Sequence, residues 1–117
     1  MADFIAATPL NKLRPGEITS LEVAGRFLAF YLVDGEAYCT DDFCTHEGSS
    51  LSAGGYVVGE EVVCGWHGAQ FNVKTGEVTA PPAAFAIRTY PVQIRDGIVH
   101  VAIDLASGSG QGDGNEG

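Results

Sequence analysis

The chain has 117 residues, 45% hydrophobic and 18% charged, which allows one domain with a single modest core. Its longest apolar run, Phe27 to Val33, has seven residues, far short of the roughly 20 that a membrane-spanning helix needs, and Met1-Ala2-Asp3-Phe4-Ile5 lacks the basic and apolar regions of a secretory leader. A formal charge of −9 excludes strong affinity for nucleic acid and favours a basic partner; the expectation is a soluble, monomeric, cytoplasmic protein.

Strand signals dominate the chain. Asp3 to Ala7 reads as a short first strand ended by Thr8-Pro9. Glu17 to Val23 alternates apolar and polar residues, as a strand with one wet face does. Gly25 turns the chain into Arg26 to Val33, a nearly continuous apolar strand expected to be buried on both sides. Asp34-Gly35 is a two-residue hairpin signal, and Glu36 to Thr40 returns as the partner strand. Periodicity then vanishes from Asp41 to Ser52, and Gly54-Gly55 marks a further turn. Tyr56 to Val58 and Glu61 to Val63 form a hairpin around Gly59-Glu60. Phe71 to Val73 and Glu77 to Thr79 form another through Lys74-Thr75-Gly76. Pro81-Pro82 stiffens a loop, and a last hairpin joins Arg88–Arg95 to Ile98–Ile103 around Asp96-Gly97. The expectation is an antiparallel all-β domain over 1–105, with a small inserted subdomain at about 41–83. The Gly/Ser/Asp-rich tail 106–117 carries no large apolar residue that could offset the entropy of ordering it.

Three cysteines are present. Two of them sit in short Cys/His pairs, Cys44-Thr45-His46 and Cys64-Gly65-Trp66-His67, with 17 residues between His46 and Cys64. Each pair offers a thiolate and an imidazole, donors that suit zinc or iron–sulfur chemistry and not calcium or magnesium. The order Cys, His, Cys, His differs from the common structural zinc pattern, in which the cysteines share one hairpin and the histidines one helix. Two facing loops of this kind can straddle a two-metal unit, with both thiolates on one metal and both imidazoles on the other. A mononuclear zinc site uses the same donor atoms and stands as the rival at this point. Cys39 lies out of register with both pairs and reads as a buried thiol on a strand. His100 lies far along the chain and reads as a plain structural histidine. Asp41, Asp42 and Glu47 flank the first pair and raise a docking role for that end.

The two pairs closely resemble the Rieske pattern, C-x-H and then C-x-x-H after a spacer of similar length. The resemblance implies an all-β Rieske fold, a sandwich or barrel-like base bearing the inserted subdomain, and one 2Fe–2S cluster held by Cys44, His46, Cys64 and His67. Neutral imidazoles in place of two thiolates remove negative charge, so an added electron meets less repulsion and the potential rises, to roughly −150 to +300 mV. Hydroxyl donors to the sulfurs raise it further within that span. In Rieske proteins of respiratory cytochrome-b complexes the second loop resembles C-x-C-H-G-S-x-Y, with Ser and Tyr hydroxyls aimed at the cluster. Here Ala69 and Phe71 stand at those positions, which implies a potential near about −150 mV, suited to feeding an oxygenase and not to oxidising quinol. The respiratory proteins also carry a disulfide between their ligand loops; Ser49 and Trp66 occupy those positions here.

Over about residues 3–103 the chain is similar to the soluble Rieske ferredoxins of bacterial ring-hydroxylating dioxygenases, to which Trp66-His67-Gly68 and Lys74-Thr75-Gly76-Glu77 also correspond. Gly65 departs from the proline often found there. The resemblance implies that Gly48, Gly65 and Gly68 let backbone N–H groups approach the sulfides, that Trp66 shields the cluster, and that Pro81 and Pro82 form a covering loop. It implies a one-electron carrier, no enzyme in itself, reduced by a flavin-dependent NAD(P)H reductase and docking through the His46/His67 edge on a terminal oxygenase. The small Rieske-like subunit of an assimilatory nitrite reductase shares the fold and is the alternative, followed by a zinc-stabilised binding module.

Overall fold

The computed structural model describes residues 4–42, 51, 54–64, 69–80 and 86–103. Within them lie eleven strands, β1 (Ile5–Pro9), β2 (Thr19–Val23), β3 (Arg26–Val33), β4 (Glu36–Asp41), β5 (Tyr56–Val58), β6 (Glu61–Val63), β7 (Gln70–Asn72), β8 (Val78–Ala80), β9 (Thr89–Tyr90), β10 (Val92–Arg95) and β11 (Ile98–Val101). A 3-10 turn, Leu10–Lys12, lies between β1 and β2. No helix among the described residues is long and apolar enough to cross a membrane. The expected tail 106–117 lies outside the described residues.

The strands form three antiparallel sheets in the orders β1-β11-β10, β2-β3-β4-β9 and β5-β6-β7-β8. β3 explains why they stack. Its side chains alternate across the middle sheet, and both faces are apolar. Ala29, Tyr31 and Val33 enter one core with Leu51, Val62, Cys64, Ala69, Phe71, Val73 and Ile87. Leu28 and Phe30 enter a second core with Val23, Cys39, Tyr90, Val99 and Val101. The middle sheet is therefore covered on one face by the β5–β8 sheet and on the other by β11, as the continuous apolar run of β3 requires. Leu28, Ala29, Phe30 and Tyr31 are at most 1% exposed, and full burial of each large side chain contributes about 1.5–3 kcal/mol.

The hairpin signals hold. Asp34 and Gly35, φ +52° and +79°, adopt the left-handed pair that a two-residue β3–β4 turn demands. Asp96-Gly97 does the same between β10 and β11. Several strand ends differ from expectation by one or two residues, and two differences have a clear physical reason. Thr8 and Pro9 lie inside β1, where a register shift at Ala6/Thr8 marks a bulge; Pro9 is tolerated because β1 is an edge strand, paired among the described residues only to β11. Arg88 to Arg95 is not one strand. β9 pairs with β4 in the middle sheet and β10 with β11 in another, and the break falls at Pro91, which has no N–H to donate to a ladder.

Candidate metal centre

Of the four candidate ligands, Cys64 is described; Cys44, His46 and His67 lie outside the described residues, as do Gly48, Ser49, Gly65, Trp66, Gly68, Pro81 and Pro82. The residues that bracket these stretches are described, and they converge.

β6 is driven into the core by Val62 and Val63 and ends directly at Cys64, a free thiol 3% exposed. The Cys64 N–H donates to the Ala69 carbonyl at 2.7 Å, one step beyond the Val63–Gln70 pair of the β6–β7 ladder. That bond fixes the two ends of the second ligand stretch against each other. Ala69 and Phe71, the two positions without hydroxyls, are fully buried in the same core as Cys64.

The first stretch is bracketed by Asp42 and Leu51. The Leu51 N–H donates to the Asp42 carbonyl at 2.5 Å, and the Asp42 N–H donates to the Phe27 carbonyl at 3.1 Å. The Asp42 side chain is 3% exposed and accepts from Ser20 Oγ at 3.1 Å. Its neighbour Asp41 donates its N–H to the Arg88 carbonyl at 3.0 Å and accepts the Tyr90 hydroxyl at Oδ1. One residue earlier, Thr40 Oγ1 lies 2.8 Å from the Tyr31 hydroxyl and 2.8 Å from the Asp41 carbonyl. Asp41 and Asp42 thus anchor the end of β4. The docking role raised for Asp42 does not hold: a carboxylate buried to this degree cannot meet a partner, and no local pattern marks its charge as pointing inward.

Gly55 joins the two brackets. Its N–H donates to the Leu51 carbonyl at 3.0 Å, and a Cβ built there would stand 2.2 Å from the Leu51 oxygen and 2.7 Å from the Val63 oxygen. The end of the first stretch is thereby pressed against the residue before Cys64. A third junction involves Gly76, φ +82°, whose carbonyl accepts from the Ile87 N–H at 2.8 Å. Leu51, Cys64, Ala69 and Ile87, which border all three stretches carrying candidate site residues, belong to one buried cluster.

Cys39 and His100 stand apart from this junction. Cys39 is 1% exposed in the other core, and burial, helped by the charge of Asp41, holds its thiol well above the ordinary range. His100 lies on β11, its Nδ1 3.0 Å from the Ile98 carbonyl. Burial likewise raises the phenols of Tyr31 and Tyr90, the latter also through its bond to Asp41.

An all-antiparallel stack of three sheets, with two Cys/His stretches springing from one buried junction, defines a Rieske-type domain. The Rieske [2Fe-2S] domain model matches residues 3–91, and the chain belongs to that family. It is 40% identical over 103 residues to the ferredoxin component of the naphthalene 1,2-dioxygenase system of Pseudomonas putida, covering 88% of this chain and 96% of that protein. Its fold superposes on the Sphingomonas yanoikuyae B1 ferredoxin with a TM-score of 0.80 at 35% identity, over 86% of this chain and 98% of that one. A solved complex of reduced oxygenase and oxidized ferredoxin in carbazole 1,9a-dioxygenase matches with a TM-score of 0.79 at 33% identity, over 85% of this chain and 92% of that one.

The donor set fits the family's cluster. Two thiolates and two imidazoles are required; Cys64 presents its thiol, buried and unbridged, at the end of a strand, and Cys44, His46 and His67 complete the set by sequence.

Proposed function

We propose that this chain is the ferredoxin component of a ring-hydroxylating dioxygenase system, carrying single electrons from a flavin-dependent NAD(P)H reductase to a terminal oxygenase in the cytoplasm, as a monomer. The observation that carries this reading is the near full-length likeness to the naphthalene dioxygenase ferredoxin component, joined to a complete Cys44/His46/Cys64/His67 set. A bound 2Fe–2S cluster supplies a centre that accepts and releases one electron. The chain supplies everything else: Cys44 and Cys64 would hold one iron and His46 and His67 the other, while the Asp42–Leu51 and Cys64–Ala69 bonds keep the two ligand stretches in place. Gly48, Ser49, Trp66, Gly68, Pro81 and Pro82 would border the cluster, with His46 and His67 on the side that meets the oxygenase.

Reconstitution tests the proposal. Oxygenase turnover of its aromatic substrate, driven by NAD(P)H and the reductase, is expected to require this chain and to stop with the His67→Ala variant. Turnover undiminished when the chain is left out would refute it.

A further inference from the structure

The chain sets 6 cationic side chains against 15 carboxylates, and two of those cations stand at one end of the middle sheet. Leu28 of β3 lies opposite Asp41 of β4. The Asp41 N–H donates to the Arg88 carbonyl at 3.0 Å, one step beyond the Cys39–Tyr90 and Thr40–Thr89 pairs. Residues opposite one another share a face, as do residues two apart on a strand. Arg26, Asp41, Arg88 and Tyr90 therefore lie on one face, with Arg26 exposed at the start of β3 and Arg88 half-buried just before β9. The Tyr90 hydroxyl, which donates to Asp41 Oδ1, feels both cations: burial and the Asp41 bond raise its pKa, and the charges of Arg26 and Arg88 pull it back. No ion pair among the described residues takes up either guanidinium, whereas Lys74 is matched with Glu60.

This is the end of β4 that leads to Cys44. The Asp42 N–H donates to the Phe27 carbonyl at 3.1 Å, so Arg26 is the next residue of β3 towards that ligand. Successive Cα atoms are about 3.8 Å apart, so the Cys44 Cα lies at most about 7.6 Å from that of Asp42 and about 11.4 Å from that of Asp41. Asp41 and the buried Asp42 put two carboxylates at the root of the first ligand stretch. Reduction adds one electron, and so one more negative charge, where the four ligands would hold the cluster. The carboxylates oppose that charge and the two guanidinium groups favour it. Ala69 and Phe71 bring no hydroxyl to the same task.

We propose that Arg26 and Arg88 raise the cluster's reduction potential by offsetting the carboxylates of Asp41 and Asp42. This rests on the Rieske reading of Cys44, His46, Cys64 and His67. The effect needs positive charge and not the guanidinium shape, so lysine at either position would serve.

Redox titration of the holoprotein, followed by its visible iron–sulfur spectrum at low and high salt, tests this. The unaltered chain is compared with Arg26→Gln and Arg88→Gln, singly and together, with Arg26→Lys/Arg88→Lys, and with Arg14→Gln. The double Gln variant should disfavour the reduced form about threefold or more, a fall of about 28 mV at 59 mV per tenfold. Each single variant should move part of the way, and salt should shrink the shift. The double Lys variant should keep the unaltered potential. Arg14 precedes Pro15, which bridges to Leu32, six residues along β3 from Arg26 and so roughly 20 Å away. Arg14→Gln removes one positive charge there and should leave the potential in place. Gln variants with no fall, a double Lys variant that falls with them, or an equal fall from Arg14→Gln would overturn the proposal and leave the Rieske reading standing. An unaltered protein without an iron–sulfur spectrum would overturn both.

Discussion

A methyl group at position 55 has nowhere to go. It would sit 2.2 Å from the Leu51 carbonyl and 2.7 Å from that of Val63, both backbone atoms that move only with the strands they belong to. Gly55→Ala should therefore cost about 1–3 kcal/mol, the range for overpacking a filled site, read as a lower urea midpoint together with reduced iron retention. An unchanged midpoint would mean that the junction is looser than its geometry implies. The sequence marked Gly54-Gly55 only as a turn; that the second glycine allows a close backbone approach depends on residues from two other segments, which no local pattern encodes. Asp42 is a similar case. Read along the chain, it looked like one of several surface charges, and its burial against Ser20 depends on a strand some twenty residues earlier.

At the scale of strands and hairpins, local chemistry was legible where the turn itself was local. Asp34-Gly35, Gly59-Glu60 and Asp96-Gly97 each close the hairpin that their dipeptides announce. The division of Arg88–Arg95 between two sheets was not legible, because β9 and β10 pair with strands about 50 and 6 residues away in sequence, on β4 and β11; Pro91 was the only local sign. The β6–β7 hairpin carries the prediction on redox poise. Ala69 and Phe71 are fully buried, in the core that contains the candidate ligand Cys64, so Ala69→Ser with Phe71→Tyr adds two hydroxyls to that core. The potential should move upward within the roughly −150 to +300 mV span of Rieske centres, followed by redox titration; no upward movement would contradict the placement. β3, β4 and β9 carry a prediction on pH. Cys39, Tyr31 and Tyr90 are all held above their ordinary ranges, chiefly by burial. The folded chain then keeps protons that the unfolded chain releases from about pH 8.5 for the thiol and about pH 10 for the phenols. Their contribution is complete below those values and is lost as pH climbs through and above them. Urea unfolding should show stability falling above about pH 9, and Tyr90→Phe should flatten the fall. A slope unaffected by that substitution would contradict it.

The whole molecule is a middle sheet clad on both faces, with one of its two cores opening at the ends of β4 and β6 towards the Cys/His stretches. That division of labour accounts for what the sequence conveyed about the site. The candidate donors and their spacing follow from short segments of the sequence, whereas the junction that brackets those segments is a product of the stacking. An acidic chain of net charge −9 built in this way is suited to meeting basic partners briefly and letting them go. Pulsed electron paramagnetic resonance on the dithionite-reduced protein tests the central assignment most directly. A rhombic iron–sulfur signal with couplings to two imidazole nitrogens is the predicted result, each coupling removed in turn by His46→Ala and His67→Ala. A colourless, zinc-bearing protein without that signal, or an iron signal with no nitrogen coupling, would contradict it.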